Sequence, residues 1–305
     1  MRISTSMIFD SGRDAMLRQS ADLLHTQQQL STGKRVLAPS DDPIAAARAL
    51  EVSQSKSINE QFQTNQGYAN DALASLESSL GSIGDILTYI RTRAIQAGNA
   101  ALSPTEHEAI AVDIEAQFNA LVGIANSKDG AGEYRFAGYQ SGQAPFSGDL
   151  GDLGGISYDG DAGVREIQVA PSRTMAVGVP GSEVFMVDGD QSRTFASISD
   201  FIAGLRNPPP GGVSAVVANA IDGMDAALDN VNTIRASVGS RMVELDALAD
   251  MSATQDVQYA ETLSRLQDLD YAEAISRFSK QQAILEAAQQ SYVRTTGLSL
   301  FDLLR

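Results

Sequence analysis

The sequence predicts a mainly α protein: an elongated antiparallel helical bundle or coiled coil made from the N- and C-terminal halves, with a small β-domain inserted in the middle. Three observations carry this. Apolar residues near both ends of the 305-residue chain recur at alternating spacings of four and three, an average of about 3.5 that suits a left-handed coiled coil or a long bundle seam. Between those regions, residues 130–189 hold 13 of the 26 glycines beside short runs of β-formers. The stiff run Asn207-Pro208-Pro209-Pro210-Gly211-Gly212 then separates this middle from the returning helical pattern.

In the first element, Phe9, Met16, Leu23, Leu30 and Leu37 fall every seven residues, joined by Leu17 and Leu24, on an otherwise polar helix. So narrow a stripe cannot build a core alone and needs another helix over it. Gly33, Pro39 and Pro43 break the pattern. Asp41 or Asp42 before Pro43 restarts a helix, because an aspartate caps free amides and proline tolerates the first turn.

The next helix carries the strongest signal: Ala69, Leu73, Leu76, Leu80, Ile83, Leu87, Ile90, Ala94 and Ala97, with Gly98 placed to end it. Ser103-Pro104-Thr105-Glu106 is a capping-box start for a shorter helix that buries Ile110, Ile114, Phe118, Leu121, Val122 and Ala125. Candidate strands lie at 133–139, 156–158, 165–170, 174–179 and 184–187, with turns at Asp159-Gly160, Pro180-Gly181 and Asp188-Gly189. A short helix over 197–205 leads to the proline run. Beyond it, Val217, Ile221, Met224, Leu228, Val231, Val238, Met242, Leu245 and Ala249 repeat the bundle spacing. A last helical segment carries Leu263, Leu266, Ile275, Phe278, Leu285 and Tyr292 and closes on Leu298, Leu300 and Phe301. The expected domains are a coiled-coil segment at 1–40, half of a bundle at 41–129, a β-rich domain at 130–207, the other half-bundle at 208–250 and a second coiled-coil segment at 251–305.

Composition excludes several classes of function. A net charge of −16 leaves no basic surface for nucleic acid, whose binding rests on lysine and arginine displacing counterions. The acidity is concentrated mid-chain: residues 1–60 carry seven acidic and seven basic side chains, residues 129–190 ten and three. The absence of cysteine removes disulfides, thiolate nucleophiles and sulfur-ligated zinc. No uncharged apolar run approaches the ~18 to 20 residues that would cross a bilayer, and Asp10, Arg13 and Asp14 interrupt the start where a cleavable signal needs an apolar core.

No catalytic, cofactor or metal site is expected. Gly33-Lys34 lacks the glycine at position 28 and the following hydroxyl residue that a phosphate loop requires. His25 and His107 are predicted surface histidines without a second imidazole nearby. Asp149, Asp152, Asp159, Asp161, Asp188 and Asp190 lack any calcium-loop spacing and read as turn residues. What remains is the pair of thin terminal stripes. Ile3, Phe9, Met16, Leu23 and Leu30 at one end, with Ile275, Phe278, Leu285, Tyr292, Leu298, Leu300 and Phe301 at the other, are the candidate assembly interface, ordered when a neighbouring subunit covers them.

Two stretches carry a family resemblance. Leu30-Ser31-Thr32-Gly33-Lys34-Arg35-Val36 resembles the N-terminal segment of bacterial flagellin-type proteins, and Pro39-Ser40-Asp41-Asp42-Pro43-Ile44-Ala45-Ala46-Ala47 resembles its version in the hook-associated protein family at the hook-filament junction. Tyr134-Arg135-Phe136-Ala137-Gly138-Tyr139 through Pro145-Phe146, Asp270-Tyr271-Ala272-Glu273-Ala274-Ile275 and Leu298-Ser299-Leu300-Phe301 agree with it. The resemblance implies an extracellular structural adaptor, exported through the flagellar type III apparatus without cleavage. Residues 1 to about 32 would be its signal, and a cytoplasmic export chaperone would guard 255–305. It also implies hook-associated protein 1, flagellin and copies of the chain itself as partners, with no cofactor. A flagellin filament subunit and a cytoplasmic coiled-coil binding module are the alternatives; Pro39, Pro43 and the Leu-Phe ending stand against the first.

Overall fold

The computed structural model describes residues 5–148, 156–186 and 193–302, with the side chains of 5, 6, 8, 9 and 295–302 also outside the description. In order, the elements are α1 (Thr5–Thr32), α2 (Pro43–Ala97), α3 (Pro104–Ala125), β1 (Phe146–Ser147), β2 (Ser157–Tyr158), β3 (Glu166–Ala170), β4 (Arg173–Ala176), α4 (Gly181–Phe185), α5 (Arg193–Arg206), α6 (Ser214–Gln267) and α7 (Tyr271–Asp302). The chain forms two compact units. One comprises Met1–Ile58 with Thr254–Arg305, the other Asn59–Ala253, and α2 and α6 run unbroken from one to the other. The divisions fall inside helices, at Ile58/Asn59 in α2 and Ala253/Thr254 in α6. The reason is that helical propensity continues where the apolar core stops.

The unit of Asn59–Ala253 holds the core. All nine residues of the strong stripe, Ala69 to Ala97, are buried, and Val217, Met224, Val231, Val238 and Leu245 supply the facing stripe on α6 at seven-residue intervals. The two helices are antiparallel. Arg91 pairs with Asp225, and Arg235 lies 2.6 Å from Glu77, so numbers rise along one helix as they fall along the other. The α3 start is built as expected: Ser103 and Glu106 satisfy each other's backbone amides, and Pro104 opens the helix. Its buried face meets α5 through an edge-on contact of Phe118 with Phe195, ring centres 5.8 Å apart. His107 is buried, with Nε2 3.1 Å from the Ala97 carbonyl. That corrects the surface expectation: its hydrogen bond serves the end of α2.

The β region is smaller than the glycine pattern implies. Two antiparallel hairpins, β1–β2 and β3–β4, are the sheets among the described residues, the second carrying a bulge between Gln168 and Ala170. Residues 133–139 form turns and one isolated bridge, Tyr134 to Lys128, instead of a strand, pinned where the Asp161 side chain accepts from the Tyr139 amide. Val184 belongs to the short helix α4. Packing, not pairing, holds these segments, since Phe185 stacks on Phe195 at 4.9 Å and meets Phe146 at 5.1 Å and Phe136 at 5.9 Å. Asp161 is a turn residue as read, accepting from the Gly163 amide as well; Asp149, Asp152, Asp188 and Asp190 lie outside the described residues.

Beyond Ala69 the stripe turns polar. Asn59, Gln66 and Ser252 are buried, with Asn59 donating to the Ser252 carbonyl at 2.8 Å and Gln66 to the Val169 carbonyl at 2.8 Å and the Ser252 hydroxyl at 3.0 Å. This layer closes one end of the core and fixes the register of α2 against α6 and β3.

Candidate assembly surface

The unit of Met1–Ile58 and Thr254–Arg305 is built on the pairing of α1 with α7. Heptad spacing on a polar helix leaves one strip of contact, and the two strips meet antiparallel. A Cβ added to Gly12 would lie 3.1 Å from the Tyr292 ring, and one on Gly33 would lie 2.8 Å from the Tyr271 hydroxyl. Met16, Leu23 and Leu30 on α1, and Phe278, Leu285 and Tyr292 on α7, are half-buried along this strip, with Thr26, Gln29 and Ala274 buried. Polar residues inside it serve the backbone: Thr26 donates to the Asp22 carbonyl at 3.0 Å, and Gln29 donates to the Arg35 carbonyl at 2.6 Å.

A clasp joins the two connectors at one end of this pair. The Arg35 amide donates to the Gln267 carbonyl and the Leu269 amide to the Gly33 carbonyl, making a short antiparallel bridge between Lys34 and Asp268. The Arg35 guanidinium donates to the Leu266 carbonyl at 3.0 Å and pairs with Asp42 at 3.1 Å. Asp42 caps α2 by accepting from the Ala45 amide, while Asp41 accepts from the Leu37 and Ala38 amides and lies 3.4 Å from His25. Backbone amides aimed at these carboxylates hold both below the ordinary aspartate pKa; Ala38 and Leu37 act on Asp41, and Ala45 and then Arg35 on Asp42. Beside the clasp, a groove of about 500 Å³ opens between Val36, Leu37 and Pro39 of the connector and Ala46, Ala49 and Leu50 of α2.

This unit has little core of its own. Among its described residues the buried apolar side chains are Ala45, Ala49, Leu269 and Ala274, whereas Leu17, Leu24, Ile44, Leu50 and Ile275 are 54% to 71% exposed. Leu17 and Leu24, seven apart, form a second stripe turned away from α7. Of the residues read as an interface from sequence, Met16, Leu23, Leu30, Phe278, Leu285 and Tyr292 come together in the intrachain strip, and Ile275 stays exposed. Ile3, and the side chains of Phe9, Leu298, Leu300 and Phe301, lie outside the described residues. The outward role of Leu17 and Leu24 was available in the doubled leucines, each beside a heptad position. The polar clasp was not, because it depends on a connector more than 230 residues away.

Among the described residues no group of three or more histidine, aspartate and glutamate side chains could hold a metal ion, and no helix is long and apolar enough to cross a membrane. Residues 3–141 match the bacterial flagellin N-terminal helical region and residues 221–304 the bacterial flagellin C-terminal helical region. A solved structure described as a putative flagellar hook-associated protein from Vibrio parahaemolyticus shares the fold, with a TM-score of 0.70 at 21% identity over 75% of this chain and 100% of that one. The flagellar hook-associated protein 3 of Escherichia coli is 32% identical over 99% of both chains, and that of Salmonella typhimurium 32% identical over 100% of both. With that identity sustained from end to end, and with both flagellin helical regions in place, the chain belongs to the flagellar hook-associated protein 3 family.

Proposed function

We propose that this chain is a structural adaptor, not an enzyme, that joins the flagellar hook to the flagellin filament by intermolecular packing of its terminal helices. The observation that carries the reading is how few apolar side chains are buried among the described residues of the unit of Met1–Ile58 and Thr254–Arg305, set beside its exposed leucines and isoleucines. A helix pair joined by one narrow strip gains little against its ordering entropy, and neighbouring subunits supply the missing apolar cover. On this reading Leu17, Leu24 and Ile275 pack against other subunits, together with Ile3, Phe9, Leu298, Leu300 and Phe301 near the chain ends. The half-buried strip of Met16, Leu23, Leu30, Phe278, Leu285 and Tyr292 orders the pair for that contact. The partners are hook-associated protein 1 on the hook side, flagellin on the filament side and further copies of this chain around the ring.

The chain reaches the extracellular flagellum through the type III export apparatus, with residues 1 to about 32 as signal and 255–305 meeting a cytoplasmic chaperone. Names of the full-length relatives at 32% identity support the junction role. Deleting the gene tests it: hooks remain, and flagellin monomers appear in the culture medium. Normal filaments on the deletion strain would refute the adaptor reading. Seeded polymerisation separates it from a filament subunit, because an adaptor stops after a short layer where flagellin grows long filaments.

A further inference from the structure

The charge of the chain is divided very unequally. The unit of Met1–Ile58 and Thr254–Arg305 carries thirteen acidic and twelve basic side chains, a net of −1, whereas Asn59–Ala253 carries twenty-five and ten, a net of −15. Within the second unit at least six of the ten basic groups pair with carboxylates of the same unit: Arg91 with Asp225, Arg93 with Asp113, Arg165 with Asp129 and Glu133, Arg173 with Glu244, Arg206 with Glu108 and Glu115, and Arg235 with Glu77. Among the described residues, Asp71, Glu166, Asp200, Asp222, Asp229 and Asp246 face water. A second copy therefore meets a surface of its own sign, most of whose cations are paired within the unit.

Copies that meet through the neutral unit bring their acidic units with them, because both belong to one chain. The neutral unit supplies short-range apolar attraction and almost no net charge to offset the repulsion. The repulsion reaches about 30 Å at 0.01 M salt and about 3 Å at 1 M. We propose that the acidic unit is an electrostatic brake on association between identical copies. It limits how many copies join through the terminal helices and favours a neighbour with less negative charge over another copy of the same chain. The proposal rests on the reading of the terminal unit as the assembly surface and specifies what regulates that surface.

Sedimentation velocity of the full chain at pH 7, over a range of protein concentrations in ~20 mM and ~500 mM sodium chloride, tests it. The wild-type chain should sediment independently of concentration at low salt and faster with rising concentration at high salt. The sixfold variant D71N/E166Q/D200N/D222N/D229N/D246N should associate at both, and a melt coincident with wild type shows that it is folded. Should that variant not fold, the salt response of the wild-type chain decides alone. Wild-type sedimentation that is indifferent to salt overturns the brake and leaves the adaptor reading in place. Salt-induced association that survives Leu17→Ser with Leu24→Ser overturns the assignment of the contact to the terminal helices, and with it the reading beneath.

Discussion

The hydroxyl of Tyr271 stands 2.8 Å from the point that a Cβ on Gly33 would occupy, so the first residue of α7 closes over the end of α1 where there is no side chain to meet it. Gly33 also has φ +70, the left-handed region that glycine enters without strain. Its carbonyl accepts from the Leu269 amide at 2.9 Å, which makes this glycine the meeting point of both connectors.

Gly33→Ala should therefore loosen the clasp. The backbone conformation alone costs an alanine about 1–2 kcal/mol, and Tyr271 must also swing aside. Amide exchange at Arg35 and Leu269, whose amides form the bridge, should quicken by roughly tenfold. Unchanged protection there would show that the bridge does not depend on Gly33.

The acid limit of the clasp follows from Asp41. Folding holds this carboxyl below its ordinary value of 3.8, chiefly through the Ala38 and Leu37 amides. A lowered folded pKa means that the contribution is complete above the ordinary value and is lost as the pH falls through the folded one. The amide resonances of Leu37 and Ala38 should titrate with a midpoint below 3.8, and Asp41→Asn should abolish that titration. A midpoint at or above 3.8 would contradict the geometry.

Core and surface leucines should part company. Leu80 is fully buried, so Leu80→Ala should cost about 2–5 kcal/mol in denaturant unfolding. Leu17→Ser and Leu24→Ser, at positions 62% and 59% exposed, should stay within about 0.5 kcal/mol each. Equal losses would mean that the second stripe is part of the monomer's fold.

The polar end of the core makes its own prediction. Gln66→Leu keeps the bulk but leaves the Val169 carbonyl without its side-chain donor, a loss of about 1–3 kcal/mol. Faster exchange should appear across β3 and β4 before it appears in the α2 stripe. Uniform loosening of the unit would argue against a local role for Gln66.

How far the sequence could be read depended on the range of the forces involved. The Ala69–Ala97 stripe and the Ser103 capping box follow from local periodicity and local hydrogen bonds, and both form as expected. The β region did not yield in the same way. Residues 133–139 look like a strand by composition, but their amides answer to Asp161 and Ser141, and Phe136 is drawn into an aromatic cluster instead of a sheet. At the ends, heptad spacing predicts that a stripe will be covered and does not name the cover. Phe278 and Leu285 are half-buried against α1 of the same chain, which leaves Leu17, Leu24 and Ile275 facing outward. The clasp stayed hidden because Arg35 and Leu266 are 231 residues apart, and nothing local to either marks the other.

The most direct test uses hooks isolated from a strain lacking this gene, incubated with purified chain, washed, and then given flagellin monomers. Working outside the cell separates assembly from export, in which the same N-terminal helix has a proposed part. The adaptor account predicts filaments on hooks treated with the wild-type chain and bare hooks after treatment with the folded Leu17→Ser, Leu24→Ser variant. Filaments growing equally well with that variant, or on hooks given no chain at all, would contradict it.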